Sequence, residues 1–266
     1  MAEGRAWSTA TWTDPDGGTV LLHGTFPTVV HPRVLWPDVA AWDGVAVLED
    51  AEAPHAWAQE AADERASPGV NLEAVRFGIG HEARLLEAFN TIEGVQWGAF
   101  PDPEPVRVVR AFERAGKPVF FLEPSLEDES WSDQLSLEAT ERTHWRRLLR
   151  RVRGRRTWSR TLVAASKASK DDGPNEAFSQ VKVASRAWWA MWDDDLQPST
   201  IEARDTRLAA RVRGALRSVG VPPTARRLLV VLPEARIDGL LAGLSRGPSA
   251  EVIVSYDDLL AMNGEE

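Results

Sequence analysis

Short continuous apolar runs, separated by longer helix-like stretches, constrain this chain more than any other feature. The runs are Thr19–His23, Val45–Leu48, Val119–Leu122, Leu228–Leu232 and Val252–Val254, with a weaker one at Val95–Ala99. They have strand length, and most lack the alternation of a half-exposed strand, so both faces are predicted to be buried. Between them Pro54–Ala66, His81–Asn90, Pro103–Ala115 and Ile237–Leu244 read as helices. This alternation predicts an α/β fold, a mostly parallel sheet flanked by helices. The stretch TVLLHGTFP breaks its apolar run at Gly24 and Thr25. Ligands of open α/β sheets bind outside the carboxyl ends of the strands, which makes Gly24 and Thr25 candidate binding positions. The cluster Asp14-Pro15-Asp16-Gly17-Gly18 reads as a turn leading into this strand.

One region breaks the rhythm. Residues 138–219 contain no convincing strand and read as three helices, separated near Asp171–Pro174 and Asp193–Pro198. The chain is therefore expected to be a single domain over residues 1–266, with 138–219 as a helical insertion before the last strands. In the third of these helices Ile201, Leu208, Val212, Ala215 and Val219 form an apolar stripe, and Arg204 lies on it. An unpaired buried charge is too costly to keep, so Arg204 requires an acidic or carbonyl partner unless it snorkels at the edge of the stripe.

Composition removes several function classes. With 266 residues and 43% hydrophobic content, the chain has enough apolar mass for an ordinary core. The absence of cysteine excludes disulfides, thiolate catalysis, zinc–thiolate clusters and iron–sulfur centres. A net charge of −9 argues against the whole surface wrapping nucleic acid. The 12 Trp residues are read mainly as core and interface mass. There is no apolar run of about 18 residues and no basic-plus-apolar amino terminus, so the expected location is cytoplasmic, without a transmembrane segment.

Against the acidic background, Arg142–Arg160 holds nine Arg and no acidic residue, with Trp145, Leu148, Leu149 and Val152 at helical spacing. This basic amphipathic segment offers a surface to an anionic partner, with Arg146, Arg150 and Arg153 as candidate binding residues. Its other reading is a helix that docks on its own domain while its arginines pair with the acidic excess.

Two letter patterns fail on context. Gly243-Leu244-Ser245-Arg246-Gly247 matches a nucleophile elbow, but Ser245 follows a helical pattern and no His occurs after His144. Gly78-Ile79-Gly80 is too short for a dinucleotide fingerprint, and no phosphate-binding loop occurs. The strand ends carry more. In parallel order they present His23 and Thr25, Glu49 and Asp50, Glu123, then Glu234 and Arg236. Convergent carboxylates and imidazoles are a ligand set for a divalent ion such as Mn, Co or Zn, which gives His23, His31, Glu49 and Glu123 as candidate metal ligands. The same acids also serve as helix caps and loop ion pairs in many proteins.

The segments LLHGTFP, GVAVLED, STIEARDTRLAARVRGAL and RRLLVVLPEARIDGLLAGL, in that order, resemble the TraB/TIKI family, related to ChaN and erythromycin-esterase-like proteins. The resemblance touches about a third of the chain. It implies a metal-dependent hydrolase scaffold with a Gly-x-x-His turn after the first strand, a Glu after the second, a Glu-Arg-Asp helix and a second Gly-x-x-His turn. Gly24, Thr25, Glu49, Arg204, Asp205 and Gly239 match that pattern. Pro27 and Arg236 stand where its histidines belong, Ala203 replaces the Glu of the helix, and Leu232 replaces a Gly.

These departures lead to the expectation of a non-catalytic binding or regulatory protein, a pseudoenzyme on a TraB/TIKI-like scaffold, with a decayed metal site, no cofactor and a protein partner. In it Arg236 replaces the cation and pairs with Glu49. One alternative is a divalent-metal-dependent hydrolase that uses Glu49, His23 or His31 and Glu123 in a rearranged site; the candidates for catalytic roles are Glu49, Arg204 and Arg236. The other is a nucleic-acid-associated accessory protein that uses the basic segment.

Overall fold

In the computed structural model, which describes residues 8–77, 82–144, 154–169 and 174–263, the apolar runs assemble into one sheet. Its strands are β1 (Thr9–Thr13), β2 (Thr19–Thr25), β3 (Gly44–Val47), β4 (Val119–Phe121) and β5 (Arg227–Pro233), in the order β1-β2-β5-β3-β4. β2, β5, β3 and β4 run parallel, and β1 is antiparallel to β2. The α/β class and the mostly parallel sheet are as the sequence predicts.

The helices are α1 (Ala53–Ala66), α2 (Val70–Phe77), α3 (Glu82–Phe89), α4 (Pro103–Arg114), α5 (Glu129–Thr143), α6 (Gly154–Ala168), α7 (Glu176–Asp193), α8 (Pro198–Ser218), α9 (Ile237–Ser245) and α10 (Tyr256–Asn263). Local chemistry sets their starts. α1, α4 and α8 carry Pro in the first turn, where the missing N–H has no intrahelical partner to lose. The Asp128 carboxylate accepts from Trp131 N–H at 2.9 Å at the head of α5, and the Asn175 side chain accepts from Phe178 N–H at 3.0 Å at the head of α7. The region read as three helices from residue 138 onward begins earlier, because α5 already starts at Glu129; α7 and α8 end and begin at the predicted Asp193–Pro198 break.

Continuous runs become two-sided strands. Leu228, Val230 and Leu232 of β5 join Val20 and Leu22 of β2 against Leu208, Val212 and Leu216 of α8 on one face. Leu229 and Val231 join Val45 and Val47 of β3 against Trp57 of α1 and Val108 and Phe112 of α4 on the other. A smaller cluster around Phe26, Val29, Phe89, Phe178 and Val181 lies beyond the end of β2. No helix among the described residues is long and apolar enough to cross a membrane.

Two expected strands do not form. Val252–Val254 has no strand pairing; instead Glu251 N–H donates to Ala210 C=O at 3.0 Å and Ser218 Oγ to Ile253 C=O at 3.3 Å, so this segment lies along α8. Only Ile253 of its three apolar residues is buried, too little to hold a strand in the sheet. Val95–Ala99 is tied to the loop after β2 by Val30 N–H to Gln96 C=O at 2.9 Å and Ala99 N–H to Thr28 C=O at 3.1 Å. Conversely, the predicted turn Asp14–Gly18 joins two strands as a hairpin, with Gly17 and Gly18 at φ +100° and +108°.

Gly24 fixes the spacing at the end of β2. A Cβ there would fall 2.8 Å from the Glu234 Cα on the chain leaving β5. We expect Gly24→Ala to destabilise the fold by about 1–3 kcal/mol through overpacking. A urea titration should show a lower midpoint with an unchanged slope.

Candidate functional site

The carboxyl edge of the sheet gathers most of the predicted polar residues. Glu49 and Glu123 leave β3 and β4 side by side, Glu123 N–H donating to Glu49 C=O at 3.0 Å. Both side chains are partly buried. Burial pushes the Glu49 carboxyl up to about 8, and the neighbouring Glu123, Asp102, Asp50 and Glu60 add to the shift. The Glu123 carboxyl is also raised by burial, against the opposing charge of Arg236. Glu49 makes no ion pair among the described residues, so the expected Glu49–Arg236 pair is corrected: Arg236 Nη2 donates to Asp205 at 2.8 Å instead. Asp205 lies nearer because α9 packs on α8, where Gly239 has no side chain to hold the Asp205 carboxylate off.

Arg204 finds the partners its position on the stripe demands. It is buried among Asp193 at 3.3 Å, Glu138 at 3.5 Å and Asp205 at 3.5 Å. Glu138 is also held by Arg142 at 3.1 Å. Glu234 is enclosed by the fork of Arg186, at 2.7 and 2.8 Å, with Lys182 at 3.8 Å. These charges are fixed by one another. Arg236 is less committed: its hydrogen bond to Asp205 uses one of the five donors of a guanidinium, and it lies 5.8 Å from the ring centre of Trp189, whose indole N–H is buried without a partner.

The other candidates fall elsewhere. Thr25 turns into the sheet, its hydroxyl donating to Leu232 C=O at 3.3 Å, and Gly24 packs on Glu234. Arg146, Arg150 and Arg153 lie outside the described residues. His23 and His31 do come together, with ring centres 5.9 Å apart, but the acid that joins them is Glu104 of α4, not Glu49 or Glu123. Burial, then Arg107, lowers His23 to about 4; burial, His23 and Arg107 lower His31 to about 3. Asp102, just before α4, accepts from Thr28 N–H at 2.7 Å, yet burial and the nearby Glu104 and Glu60 carry it up to about 7. Asp102 and Glu104 escape a sequence reading because Asp-Pro-x-Pro at a helix start has the form of an ordinary cap.

The positions that the TraB/TIKI resemblance gives to metal-binding imidazoles hold Pro27, whose side chain has no ligand atom, and Arg236, itself a cation. These residues do not fit a metal ion at that point. Compared with family models, with curated proteins and with solved structures, the chain matches none.

The raised carboxyl makes stability depend on pH. A Glu held near pH 8 in the fold and near 4.5 when unfolded keeps a proton that the unfolded chain releases, so folding weakens as pH rises from about 4.5 to about 8. Thermal melts should show Tm falling from about pH 6.5 to about 8, where the histidines no longer oppose the effect, and a flatter curve over that range for Glu49→Gln. The histidines act with the opposite sign: below pH 6.5 the unfolded chain takes up protons that His23 and His31 refuse, so acidification also destabilises the fold.

Proposed function

We propose that the carboxyl edge is a hydrolytic site in which Glu49 and Glu123 perform acid–base chemistry on an ester or amide oriented by Arg236. The observation that carries this reading is the side-by-side exit of the two carboxylates from β3 and β4, joined at 3.0 Å through their backbones and partly buried. A carboxyl that holds its proton at neutral pH beside one that shares its crevice is the arrangement acid–base catalysis uses. In this scheme Glu123 acts as the base, taking a proton from water as the water oxygen adds to the carbonyl carbon. Glu49 gives its proton to the leaving group as that bond breaks. The Arg236 guanidinium, permanently charged, steadies the developing oxyanion.

The resemblance to TraB/TIKI proteins supports a hydrolase scaffold through the order of its segments, and Pro27 and Arg236 support chemistry unlike that of the family. A second reading, a non-catalytic ligand-binding protein, is favoured by the number of charges at this edge already neutralised by neighbours, Arg204 and Glu234 above all.

The two readings part on a panel of p-nitrophenyl esters and anilides. Turnover that declines above about pH 8, where Glu49 loses its proton, and a loss of roughly 10²–10⁴ in kcat/KM for Glu49→Gln are the expected results. Turnover unchanged by Glu49→Gln would refute the assignment, and binding of acyl anions without turnover would establish the second reading.

A further inference from the structure

Beyond the end of β2 lies a polar chamber that the acid–base reading does not use. His23, near the end of β2, and His31, on the loop that follows, face one another at an interplanar angle of 69°. Phe26 and Phe178 close on His31, with ring centres at 5.5 and 6.1 Å. Glu104, in the first turn of α4, completes the group: its carboxylate accepts from His31 N–H at 3.3 Å and lies 4.0 Å from His31 Nδ1. One ligand atom from each of the three residues lies within 4.8 Å of the others. The residues are 2%, 1% and 1% exposed, respectively.

The chamber is short of hydrogen bonds. His23 Nε2 and both ring nitrogens of His31 are buried without a partner, as is the Thr28 hydroxyl on the same loop. Native interiors rarely leave such atoms unsatisfied, and a cluster of them on two facing imidazoles beside a buried carboxylate calls for something that binds lone pairs. We infer that His23, His31 and Glu104 form a zinc site that ties the end of β2 and its loop to α4.

The donor set supports zinc over magnesium or calcium. Two imidazoles and one carboxylate make a borderline ligand set, whereas the harder ions select oxygen. Both imidazoles are withdrawn from water, and ligation requires the uncharged ring. Arg107 supplies an outer partner, with Nη2 at 2.5 Å and Nε at 3.2 Å from Glu104 Oε2. Its positive charge opposes a second cation. Part of that charge is engaged by Glu104 itself and part by the Trp36 ring, whose centre lies 4.1 Å from the guanidinium carbon. Near-complete burial of all three ligands leaves a substrate no approach, so the ion's role is structural. The site is independent of the chemistry proposed for Glu49.

Co²⁺, which reports zinc-type coordination in its visible spectrum, provides the test on the full chain after chelator treatment. Titration should saturate at one equivalent with the intense absorption of a four-coordinate, nitrogen-containing site, and Zn²⁺ should displace it and raise Tm. His23→Gln and His31→Asn should weaken uptake by more than the roughly 10–100-fold that loss of an outer partner costs. Glu49→Gln should leave the spectrum intact, which separates this site from the proposed hydrolytic one. Should either histidine variant fail to fold, imidazole NMR of the wild-type protein decides: Zn²⁺ must shift the ring signals of His23 and His31 and spare His55 and His144. Absence of Co²⁺ uptake, a weak six-coordinate spectrum, or unshifted His23 and His31 rings would overturn the inference.

Discussion

The arginines of α8 hold this structure together, closing between them on several distant parts of the chain. Arg204 gathers Glu138, Asp193 and Asp205; Arg207 reaches Asp128 and Glu251; Arg211 binds Glu251 and caps the carbonyls of Phe121 and Leu122; Arg213 grips Asp14 and Asp16 in the hairpin turn. The apolar stripe between them seats the helix on the sheet through Leu208, Val212, Ala215 and Leu216. Packing therefore fixes the helix, and the buried charges fix what surrounds it. Where both partners are buried, as for Arg204 with Glu138 and Arg213 with Asp14, such a pair adds little net stability over an apolar equivalent, but removal of one partner strands the other, at a cost of about 3–5 kcal/mol. Arg211 carries this constraint to the candidate site, since the carbonyls it binds belong to the end of β4, just before Glu123.

Burial acts on opposite chemistries at the two polar places beyond the strand ends. At Glu49 it favours the protonated acid, and the crowd of carboxylates strengthens the effect. At His23 and His31 it favours the neutral ring, which keeps lone pairs available. α4 is common to both: Asp102, immediately before it, contributes to the field at Glu49, and Glu104, within it, faces the imidazoles. The head of one helix thus faces the raised carboxyl on one side and the paired imidazoles on the other.

Legibility in the sequence followed burial. β2, β5, β3 and β4 were readable because both of their faces are covered, which leaves continuous apolar letters. β1 was missed because it is an edge strand in which only Ala10 and Trp12 point inward among threonines. Val252–Val254 has the letters of a strand but lies along α8, and no local signal distinguishes the two. Glu49 was found from its place after a strand, and the need of Arg204 for a partner from its place on an apolar stripe. The identity of those partners was out of reach, because Glu138 and Arg204 are 66 residues apart and His31 and Glu104 are 73 apart. The Glu49–Arg236 expectation failed for the same reason: it weighed the strand ends against each other and left out Asp205, on a helix packed behind them.

β5 comes last in the chain yet lies at the centre of the sheet, between β2 and β3. Before residues 227–233 leave the ribosome, the β1–β2 hairpin and the β3–β4 pair have no backbone hydrogen bonds linking them, and each exposes an open strand edge toward the gap. The molecule therefore closes by insertion of its final strand as a wedge, a topology rich in distant contacts and slow to form. Without that strand the two edges it joins have no partner in this fold, and open strand edges are the surfaces on which chains of this size aggregate.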